Sequence, residues 1–468
     1  MPGGFLYLHF SIKKIEFMQS VNPFNNQLLA DYQEMSSEEV TSIIDNTYKS
    51  WLLWKKTSFA FRSNLMLKAG SILRLKKKEL SELITLEMGK LIGEADGEIE
   101  KCAWVCEYYA ENAQSMLADE PIMTDGQKSM AVFQPIGPVL AVMPWNYPFW
   151  QVFRFAAPAL MAGNAGLLKH ASNVQGCALA IENIFIEAGF PEDIFRTLII
   201  GASKVEEVIA SPNVKAVTLT GSEFAGSQVA SVAGKYLKKS VLELGGSDPF
   251  VVLADANLDE AVRLGVKSRL LTSGQTCISA KRFIVVEEIA ETFILKMKNE
   301  MKKFKPGNPI DPATNLAPLS KRNFVEDVHN QIENSIKMGA KCILGGELEP
   351  TGCFYLPTLL TNVTREMPVF SEETFGPVVS VIVVKNEDEA IEVANDNMFG
   401  LGAAIWTNNI EKGEKMAREI EAGAIFINGL VKSDPRLPFG GIKNSGYGRE
   451  LSDYGIKEFC NIKTIWIK

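Results

Sequence analysis

From about residue 131 onward, short runs of apolar and β-branched residues alternate with amphipathic segments of helical period. The runs predict strands at 138–144, 165–169, 214–220 and 240–244, and the segments between them predict helices at 150–161, 176–188 and 223–233. Two parallel strands need a long crossover connection, and a helix is its usual form. This alternation therefore predicts an α/β fold, with a parallel sheet covered by helices on both faces.

A second series of predicted strands follows the glycine pair Gly245–Gly246. Its members lie at 249–255, 282–288, 377–384 and 423–429, again with helices between them. A chain of 468 residues exceeds the size of one hydrophobic core, so the glycine pair is a predicted boundary between two α/β domains. The first hundred residues are predicted to be helical, with Ser36 and Ser37 able to cap a helix.

Composition argues against several classes of protein and site. The formal net charge of −8 disfavours a nucleic-acid or anionic-membrane partner, and no uninterrupted apolar stretch is long enough to span a bilayer. The seven cysteines form no C-x-x-C pair, and three histidines are few for a structural zinc site. We therefore expect no metal, no disulfide framework and a reducing, cytoplasmic setting. Residues 1–17 are predicted to be an N-terminal extension.

One cysteine, Cys277, lies in a small and polar stretch, TSGQTCIS. A nucleophilic cysteine needs a lowered pKa and a positioned base. No histidine is close in sequence, so the candidate base is Glu243, whose apolar neighbours would raise its carboxyl pKa toward neutrality. Asn146, in the turn MPWNYPFW, could donate a hydrogen bond to an oxyanion. Considered alone, Glu243 could instead be an exposed glutamate at a strand end. Asn146 could instead serve only the geometry of its turn.

A doubly wound sheet is typical of dinucleotide-binding proteins, but the usual G-x-G-x-x-G motif is absent here. Instead, Gly221 and Ser222 lie between a predicted strand and a predicted helix, and Gly226 lies one turn into that helix. The N–H groups at this helix start could bind a phosphate, and Lys169 at a strand end could bind ribose hydroxyls. A plain turn and a solvated lysine are the alternative interpretations.

Six motifs occur in a fixed order along the chain: PWNYP, TGS-x-x-x-G, ELGG, GQTC, EETFGPV and PFGGIKNSGYGRE. In this order and spacing they resemble the aldehyde dehydrogenase superfamily, from about residue 21 to the C-terminus. The resemblance implies a Rossmann-like NAD(P)-binding domain at 18–113 and 134–244 and a catalytic domain at 245–436. It also implies oligomerisation segments at 114–133 and 449–468, and hence a homodimer or homotetramer.

The resemblance further implies a mechanism and a role for each matching residue. Cys277 would attack the aldehyde carbon to form a thiohemiacetal, whose oxyanion Asn146 and the Cys277 backbone N–H would bind. After hydride transfer to a nicotinamide ring, Glu243 would activate the water that hydrolyses the thioester. Glu373 and Phe375 would orient the nicotinamide ribose and ring, and no metal would be needed.

The same resemblance implies which dinucleotide is bound. The site would be lined by Trp145, Lys169, Gly221, Ser222 and Gly226. Family members usually have K-P-x-E where this chain has Lys169-His170-Ala171-Ser172. The missing carboxylate would hold an unmodified ribose and repel a 2′-phosphate, so with Ser172 in its place we expect NADP to be accepted as well as NAD.

Three arginines are candidates for the substrate pocket. Arg154 lies six residues after Pro148, as in succinate-semialdehyde dehydrogenases, and a guanidinium there would bind a distal carboxylate in bidentate fashion. Arg269, eight residues before Cys277, and Arg436, just before the PFGG motif, are further candidates. The chain is similar to bacterial Sad-type members of that group, which implies oxidation of succinate semialdehyde in 4-aminobutyrate breakdown. For Arg154, the alternative is an arginine on an outer helix face. For the protein, the alternatives are a dehydrogenase of broader specificity for short aldehydes and a catalytically inactive binding protein.

Overall fold

The computed structural model describes residues 17–468, which form twenty strands and fifteen α-helices. The strands are β1 (Phe17–Val21), β2 (Leu28–Gln33), β3 (Glu120–Pro121), β4 (Lys128–Pro135), β5 (Pro138–Met143), β6 (Ala165–His170), β7 (Phe195–Thr197), β8 (Ala216–Thr220), β9 (Lys239–Glu243), β10 (Asp248–Val252), β11 (Ala280–Val286), β12 (Lys341–Leu344), β13 (Thr358–Thr361), β14 (Val378–Val384), β15 (Phe399–Gly400), β16 (Gly402–Trp406), β17 (Ala424–Ile427), β18 (Ile442–Lys443), β19 (Gly446–Tyr447) and β20 (Cys460–Ile467). The helices are α1 (Ser37–Trp54), α2 (Phe59–Leu75), α3 (Lys77–Met88), α4 (Ile92–Met116), α5 (Trp150–Met161), α6 (Gln175–Ala188), α7 (Val205–Ala210), α8 (Glu223–Lys235), α9 (Leu258–Leu270), α10 (Glu287–Met301), α11 (Arg322–Lys337), α12 (Pro368–Ser371), α13 (Glu387–Asn395), α14 (Ile410–Glu419) and α15 (Ser452–Glu458). The predicted N-terminal extension lies outside the described residues, apart from Phe17.

A six-stranded sheet has the order β19-β9-β8-β5-β6-β7. Strands β5 to β9 run parallel to one another, and only β19 is antiparallel to its neighbour. Apolar clusters cover both faces, which is why these strands read as continuous apolar runs. After β5 the chain forms β6 and β7 on one side of that strand, and it then crosses over to form β8 and β9 on the other side. The gap between β5 and β8 is therefore the switch point where an open α/β sheet binds its ligand.

A seven-stranded sheet has the order β12-β13-β14-β11-β10-β16-β17, in which only β12 is antiparallel to its neighbour. Two further apolar clusters pack on its opposite faces. Strands β9 and β10 belong to different sheets, and the chain crosses between them at Gly245–Gly246. The predicted domain boundary at this glycine pair coincides with that crossing.

A third sheet is formed by β20, β4 and β3 in that order. The whole of β20 pairs with β4 in antiparallel register, from Cys460 opposite Pro135 to Ile467 opposite Lys128. The other edge of β20 has no strand beside it among residues 17–468. Apart from Cys460, every residue of β20 is exposed. In the part of the chain that is described, no helix is long and apolar enough to cross a membrane.

The prediction of an entirely helical first hundred residues is wrong for residues 17–33. These residues form the antiparallel pair β1 and β2 ahead of the first helix. The pair is joined by a tight turn in which Asn26 has a φ of 58°, a conformation that asparagine tolerates. The helix that follows begins as predicted, because Ser36 accepts from the Glu39 N–H and the Glu39 carboxylate accepts from the Ser36 N–H. Strands β12, β13 and β16 were not predicted.

Candidate active site

Cys277 lies just beyond a distorted 3₁₀ turn, Leu271–Gly274, which follows α9. Two non-glycine residues of this turn have φ values of 51° and 53°, so the backbone bends sharply here. A side chain on Gly274 would collide with the carbonyl oxygen of Gly376. Only glycine therefore permits this close approach, which brings the Cys277 loop against the loop that carries Phe375.

Cys277 lines a cavity of about 410 Å³. The walls are formed by α4, the beginning of α5, the Cys277 loop and the loop at 430–433. Besides Cys277, the lining side chains that bear on the chemistry are Lys101, Trp150, Arg154, Ser433 and Phe439. The cavity thus combines a thiol, the buried or partly buried cationic groups of Arg154 and Lys101, and an aromatic wall, and the exposed Lys267 and Lys432 also line it.

The thiol itself is less exposed than its polar sequence neighbours suggested. Burial raises the pKa of Cys277 to about 12, while the positive charges of Arg154 and Lys281 act in the opposite direction. Lys281 Nζ donates to the Cys277 carbonyl oxygen at 2.7 Å. The lowered pKa expected for a nucleophile is therefore absent from the protein alone, and the thiol needs a base or a further positive charge to ionise.

Glu243 ends β9 and is only 2% exposed. Neither of its carboxylate oxygens has a hydrogen-bond partner among residues 17–468. Burial and the neighbouring Glu450 carboxylate raise the pKa of Glu243 well above its usual range, and the positive charges of Arg154 and Arg449 oppose this rise. A buried carboxylate without partners is costly unless it has a ligand or a proton to bind, which suits a general base that holds a water molecule.

Asn146 is buried in the turn between β5 and α5, beside the Cys277 loop. Its Nδ2 atom donates to the Gln275 carbonyl oxygen at 3.0 Å, and its Oδ1 atom accepts from the Tyr147 N–H at 3.1 Å. The Tyr147 hydroxyl is also 3.1 Å from Thr276 Oγ1. These bonds fix the amide plane, and the second N–H of Nδ2 is left to donate to another acceptor.

The predicted cofactor residues gather at the carboxyl ends of the strands beside the switch point. Trp145 follows β5, Lys169 is the penultimate residue of β6, and the turn at Gly221 joins β8 to α8. Ser222 caps α8 by accepting from the Ala225 N–H at 3.3 Å. A Cβ atom on Gly226 would lie 2.5 Å from a Leu244 methyl group, so this glycine lets α8 pack closely on the sheet.

The residues around this edge fit a phosphorylated dinucleotide. The Lys169 ammonium is partly buried, has a pKa lowered by that burial, and has no ion pair among the described residues. The nearby Glu34 carboxylate already contacts Lys204, with Nζ and Oε2 3.6 Å apart. Ser172 is exposed two residues beyond the end of β6 and places no carboxylate beside Lys169. An unpaired, partly buried cation is well suited to binding phosphate.

Glu373 and Phe375 lie in the loop before β14 of the seven-stranded sheet, and they border the cofactor residues of the six-stranded sheet from that side. Glu373 Oε1 accepts from the Gly246 N–H at 3.1 Å and lies 3.5 Å from Lys281 Nζ. Phe375 packs edge-on against Trp145, with ring centroids 5.9 Å apart. The structure thus brings Trp145, Glu373 and Phe375 to the same cleft as Cys277.

Of the three candidate arginines, only Arg154 lines the cavity. Its guanidinium forms a buried ion pair with Glu450, through a close Nε–Oε2 contact that is not a linear hydrogen bond. Its Nη2 atom donates to Thr220 Oγ1 at 3.3 Å, and the group lies over the Phe439 ring. Arg154 is therefore an inward-facing residue, and the alternative of an outer-face arginine does not apply.

The predicted substrate-binding role of Arg269 and Arg436 is not supported by the structure, because neither side chain lines the cavity. Arg269 is fully buried, and its guanidinium donates to backbone carbonyl oxygens, including those of Thr374 at 2.8 Å and Gly376 at 3.0 Å. It ties the Cys277 loop to the Phe375 loop and has no face left for a substrate. Arg436 is exposed and donates twice to Asp434, at 2.8 and 2.7 Å, so its charge is already paired.

Sequence reasoning missed three charged side chains of the site: Glu450 beside Arg154, Lys281 beside Cys277, and Lys101 in the cavity wall. Glu450 is the last residue of the PFGGIKNSGYGRE motif, so its sequence signal was present but its role was not considered. Lys281 follows the cysteine by four residues, also close enough to have been considered. Lys101 lies on α4, far away in sequence, and no local pattern marks it. Only the packing of α4 against α5 brings it to the cavity.

The chain is similar to known proteins over nearly its whole length. A probable succinate-semialdehyde dehydrogenase [NADP(+)] of Synechocystis sp. is 50% identical, over 96% of this chain and 99% of its own length. A succinate-semialdehyde dehydrogenase [NADP(+)] of Mycobacterium avium is 46% identical over 96% of each chain.

Among solved structures, the succinic semialdehyde dehydrogenase of Streptococcus pyogenes in complex with NADP+ superimposes with a TM-score of 0.94 at 39% identity. The match covers 96% of this chain and 99% of that protein. The α/β fold class predicted from sequence is thereby confirmed. The sequence profile of the Aldehyde dehydrogenase family matches residues 11–465, so this chain belongs to the aldehyde dehydrogenase family.

Proposed function

We propose that this protein oxidises succinate semialdehyde to succinate and uses NADP, with NAD as a second cofactor. The observation that carries the proposal is a single cavity that joins the Cys277 thiol to the buried guanidinium of Arg154. A nucleophile for an aldehyde carbon and a cation for a distal carboxylate are what a short semialdehyde requires. The names of the Synechocystis and Mycobacterium avium relatives support the same substrate and cofactor.

In the proposed reaction, the Cys277 thiolate adds to the aldehyde carbon and forms a thiohemiacetal. Asn146 Nδ2 and the Cys277 backbone N–H donate to the oxyanion; this N–H has no acceptor among the described residues, and the Asn146 turn is held against the Cys277 loop. The hydride that leaves this carbon is accepted by NAD(P), which is the chemistry that the cofactor supplies when bound. Glu243 then takes a proton from the water that attacks the thioester. Aldehyde, NADP+ and water thus yield carboxylate, NADPH and two protons.

The proposed roles of the cofactor residues follow from their positions around the cleft. Lys169 and Ser172 would bind the adenosine ribose and its 2′-phosphate, because one is an unpaired cation and the other carries no negative charge. The N–H groups at the start of α8, after Gly221, would bind the pyrophosphate. Trp145, with Glu373 and Phe375, would border the nicotinamide end.

A broader specificity for short aldehydes is the second candidate, and one observation favours it. The Arg154 guanidinium already has a carboxylate partner in Glu450, so part of its charge is neutralised before a substrate binds. An enzyme whose only recognition charge is shared in this way would discriminate weakly between carboxylated and neutral aldehydes.

The deciding experiment is a steady-state assay of succinate semialdehyde, glutarate semialdehyde, butanal and glycolaldehyde, each with NAD and with NADP. We expect kcat/KM for succinate semialdehyde to exceed that for butanal by about 10- to 100-fold, the worth of a hydrogen bond to a charged group. Values within about threefold of each other would favour the broader enzyme. If no aldehyde yields reduced cofactor, the remaining interpretation is a catalytically inactive binding protein.

We also propose that the protein is a homodimer or homotetramer in a reducing cytoplasm. The free edge of β20 exposes apolar side chains, with Ile462 at 62% and Trp466 at 48% exposure, and such an edge is normally covered. All seven cysteines are free, which supports a reducing compartment. Light scattering on the purified protein measures the oligomeric state, and a monomer at micromolar concentration would contradict this proposal.

A further inference from the structure

Lys101 lies on α4 and lines the same cavity as Cys277, but the mechanism above gives it no role. Its Nζ atom donates to Ser433 Oγ at 2.8 Å and lies 4.0 Å from the centroid of the Trp150 ring. Ser433 Oγ also accepts from Trp150 Nε1 at 3.1 Å. The ammonium is therefore held in one place by a hydroxyl and an aromatic face, and it retains two N–H donors.

The Lys101 charge has no counter-ion. Among residues 17–468 no carboxylate forms an ion pair with it, although the side chain is partly buried. The carboxylate of Glu98, one turn away, is fully engaged: Oε2 contacts Lys90 Nζ, and Oε1 accepts from the backbone N–H groups of Phe149 and Trp150 at 2.8 and 2.9 Å.

The other acidic groups near Lys101 are also unable to neutralise it. Asp434, next to Ser433, forms a bidentate pair with Arg436. The cavity also has Glu94 in its lining, but its Oε1 atom accepts from the Thr272 N–H at 3.0 Å and its carboxylate forms no ion pair with Lys101. A partly buried cation whose acidic neighbours all bind other groups has an unused capacity for an anion.

Arg154 differs from Lys101 in this respect, because Glu450 already pairs with it. The positive charge of Arg154 also opposes the burial-driven rise in the pKa values of Cys277 and Glu243, so its charge is shared among the reacting groups. Lys267 and Lys432 also line the cavity, but both are exposed to solvent, so the partly buried positive charge that no carboxylate shares belongs to Lys101. A substrate whose aldehyde carbon is at Cys277 would therefore find its electrostatic anchor at Lys101.

We propose that Lys101 is a specificity-determining residue that binds the distal carboxylate of the substrate through its ammonium group, beside Arg154. This inference rests on the proposed oxidation of a semialdehyde. Burial lowers the pKa of Lys101 to about 8, so the group remains mostly protonated at pH 7 and has lost part of its hydration. An incoming carboxylate replaces that hydration with a charge-assisted hydrogen bond.

The test compares Lys101→Met with the wild type on succinate semialdehyde and on butanal, which has the same number of carbons and no carboxylate. Methionine keeps the length and the contact with Trp150 but removes the charge. We expect the KM for succinate semialdehyde to rise about 10- to 100-fold, with kcat within about threefold and the KM for butanal within about twofold. Lys101→Arg, which keeps the charge, should recover most of the loss.

A matched control exists elsewhere on the chain. Lys55 lies over the ring of Trp51 at 4.2 Å, outside the cavity, so Lys55→Met makes the same substitution at the same kind of contact. It should leave both KM values unchanged. Lys101→Gln, an uncharged variant that can still donate to Ser433, should behave like Lys101→Met and serves if the latter does not fold.

An unchanged KM for succinate semialdehyde in the folded uncharged variants, or an equal rise for both aldehydes, would overturn the role of Lys101. Failure of the proposed function itself has a different signature, because it is visible in the wild type. In that case the unmodified enzyme would show no preference for succinate semialdehyde over butanal before any substitution is made.

Discussion

Replacing Arg154 with leucine should change both stability and substrate selection. The side chains of Arg154 and Glu450 are 2% and 6% exposed, so their contact is a buried ion pair and not a surface one. Removing one partner of a buried pair leaves an uncompensated charge and costs about 3–5 kcal/mol. Glu450 can reduce this cost by binding a proton, because burial raises its carboxyl pKa and Arg154 opposes that rise.

We therefore expect Arg154→Leu to lower the free energy of unfolding by about 2–4 kcal/mol at pH 7.5. The loss should be smaller at lower pH. Without Arg154, the pKa of Glu450 is higher in the folded than in the unfolded protein, so stability falls as pH rises from about 4 toward the folded value. Urea unfolding followed by circular dichroism at pH 5.5 and pH 7.5 measures both quantities.

The double variant Arg154→Leu/Glu450→Leu separates stability from recognition. An apolar pair of similar volume can replace a buried ion pair at little cost, so its stability should return to within about 1 kcal/mol of the wild type. The KM for succinate semialdehyde should stay raised by about 10- to 100-fold, because the guanidinium is still missing. The KM for butanal should change much less.

Two results would refute this reasoning. Equal stability of Arg154→Leu and the wild type at pH 7.5 would mean that the ion pair with Glu450 contributes nothing to the fold. An equal rise of KM for succinate semialdehyde and butanal would mean that Arg154 shapes the cavity without binding a carboxylate.

Three further predictions concern the thiol, the base and the cofactor. Burial raises the pKa of Cys277 to about 12, so its alkylation by iodoacetamide without cofactor should accelerate about tenfold per pH unit from pH 7 to 10. Mass spectrometry of the Cys277 peptide measures this rate, and a plateau near pH 8 would contradict it. Glu243→Gln should lower kcat by about 10²- to 10⁴-fold yet retain a stopped-flow burst of one NADPH per site, since the proposed mechanism assigns Glu243 to thioester hydrolysis and the ionisation of Cys277 to positive charge in the site; loss of the burst would mean that Glu243 is also the base for the thiol. Ser172→Glu should weaken NADP binding about 10- to 100-fold and leave NAD within about threefold by calorimetry, because the new carboxylate repels the 2′-phosphate; equal weakening of both would contradict it.

Much of the fold was predictable because its signals are local. The parallel strands β5, β6 and β8 are almost entirely buried, as are the last three residues of β9, so each appears in the sequence as a short, largely apolar run. The helix α5 was predicted with its observed bounds, Trp150–Met161. The pair β1 and β2 was missed, because its strands are largely exposed and lack an apolar run to mark them.

The residues of the site were likewise only partly predictable from the sequence. Cys277, Glu243 and Asn146 were each singled out because an unusual side chain lies in a glycine-containing or proline-containing stretch. Arg269 and Arg436 were wrongly assigned to the substrate, because an arginine in sequence carries no mark of its partner. One donates to buried backbone carbonyl oxygens and the other to a neighbouring aspartate.

The sequence by itself determined the α/β class, the positions of most parallel strands and the candidate residues for the chemistry. These depend on hydrophobic periodicity and on turn residues, which act over a few positions along the chain. Tertiary structure alone decided which charges are already paired. Arg154 meets Glu450, whereas Lys101 has no carboxylate partner in the described chain, because contacts between residues hundreds of positions apart depend on helix and sheet packing. Charge availability, which governs pKa values and anion binding, is therefore a property of the folded protein.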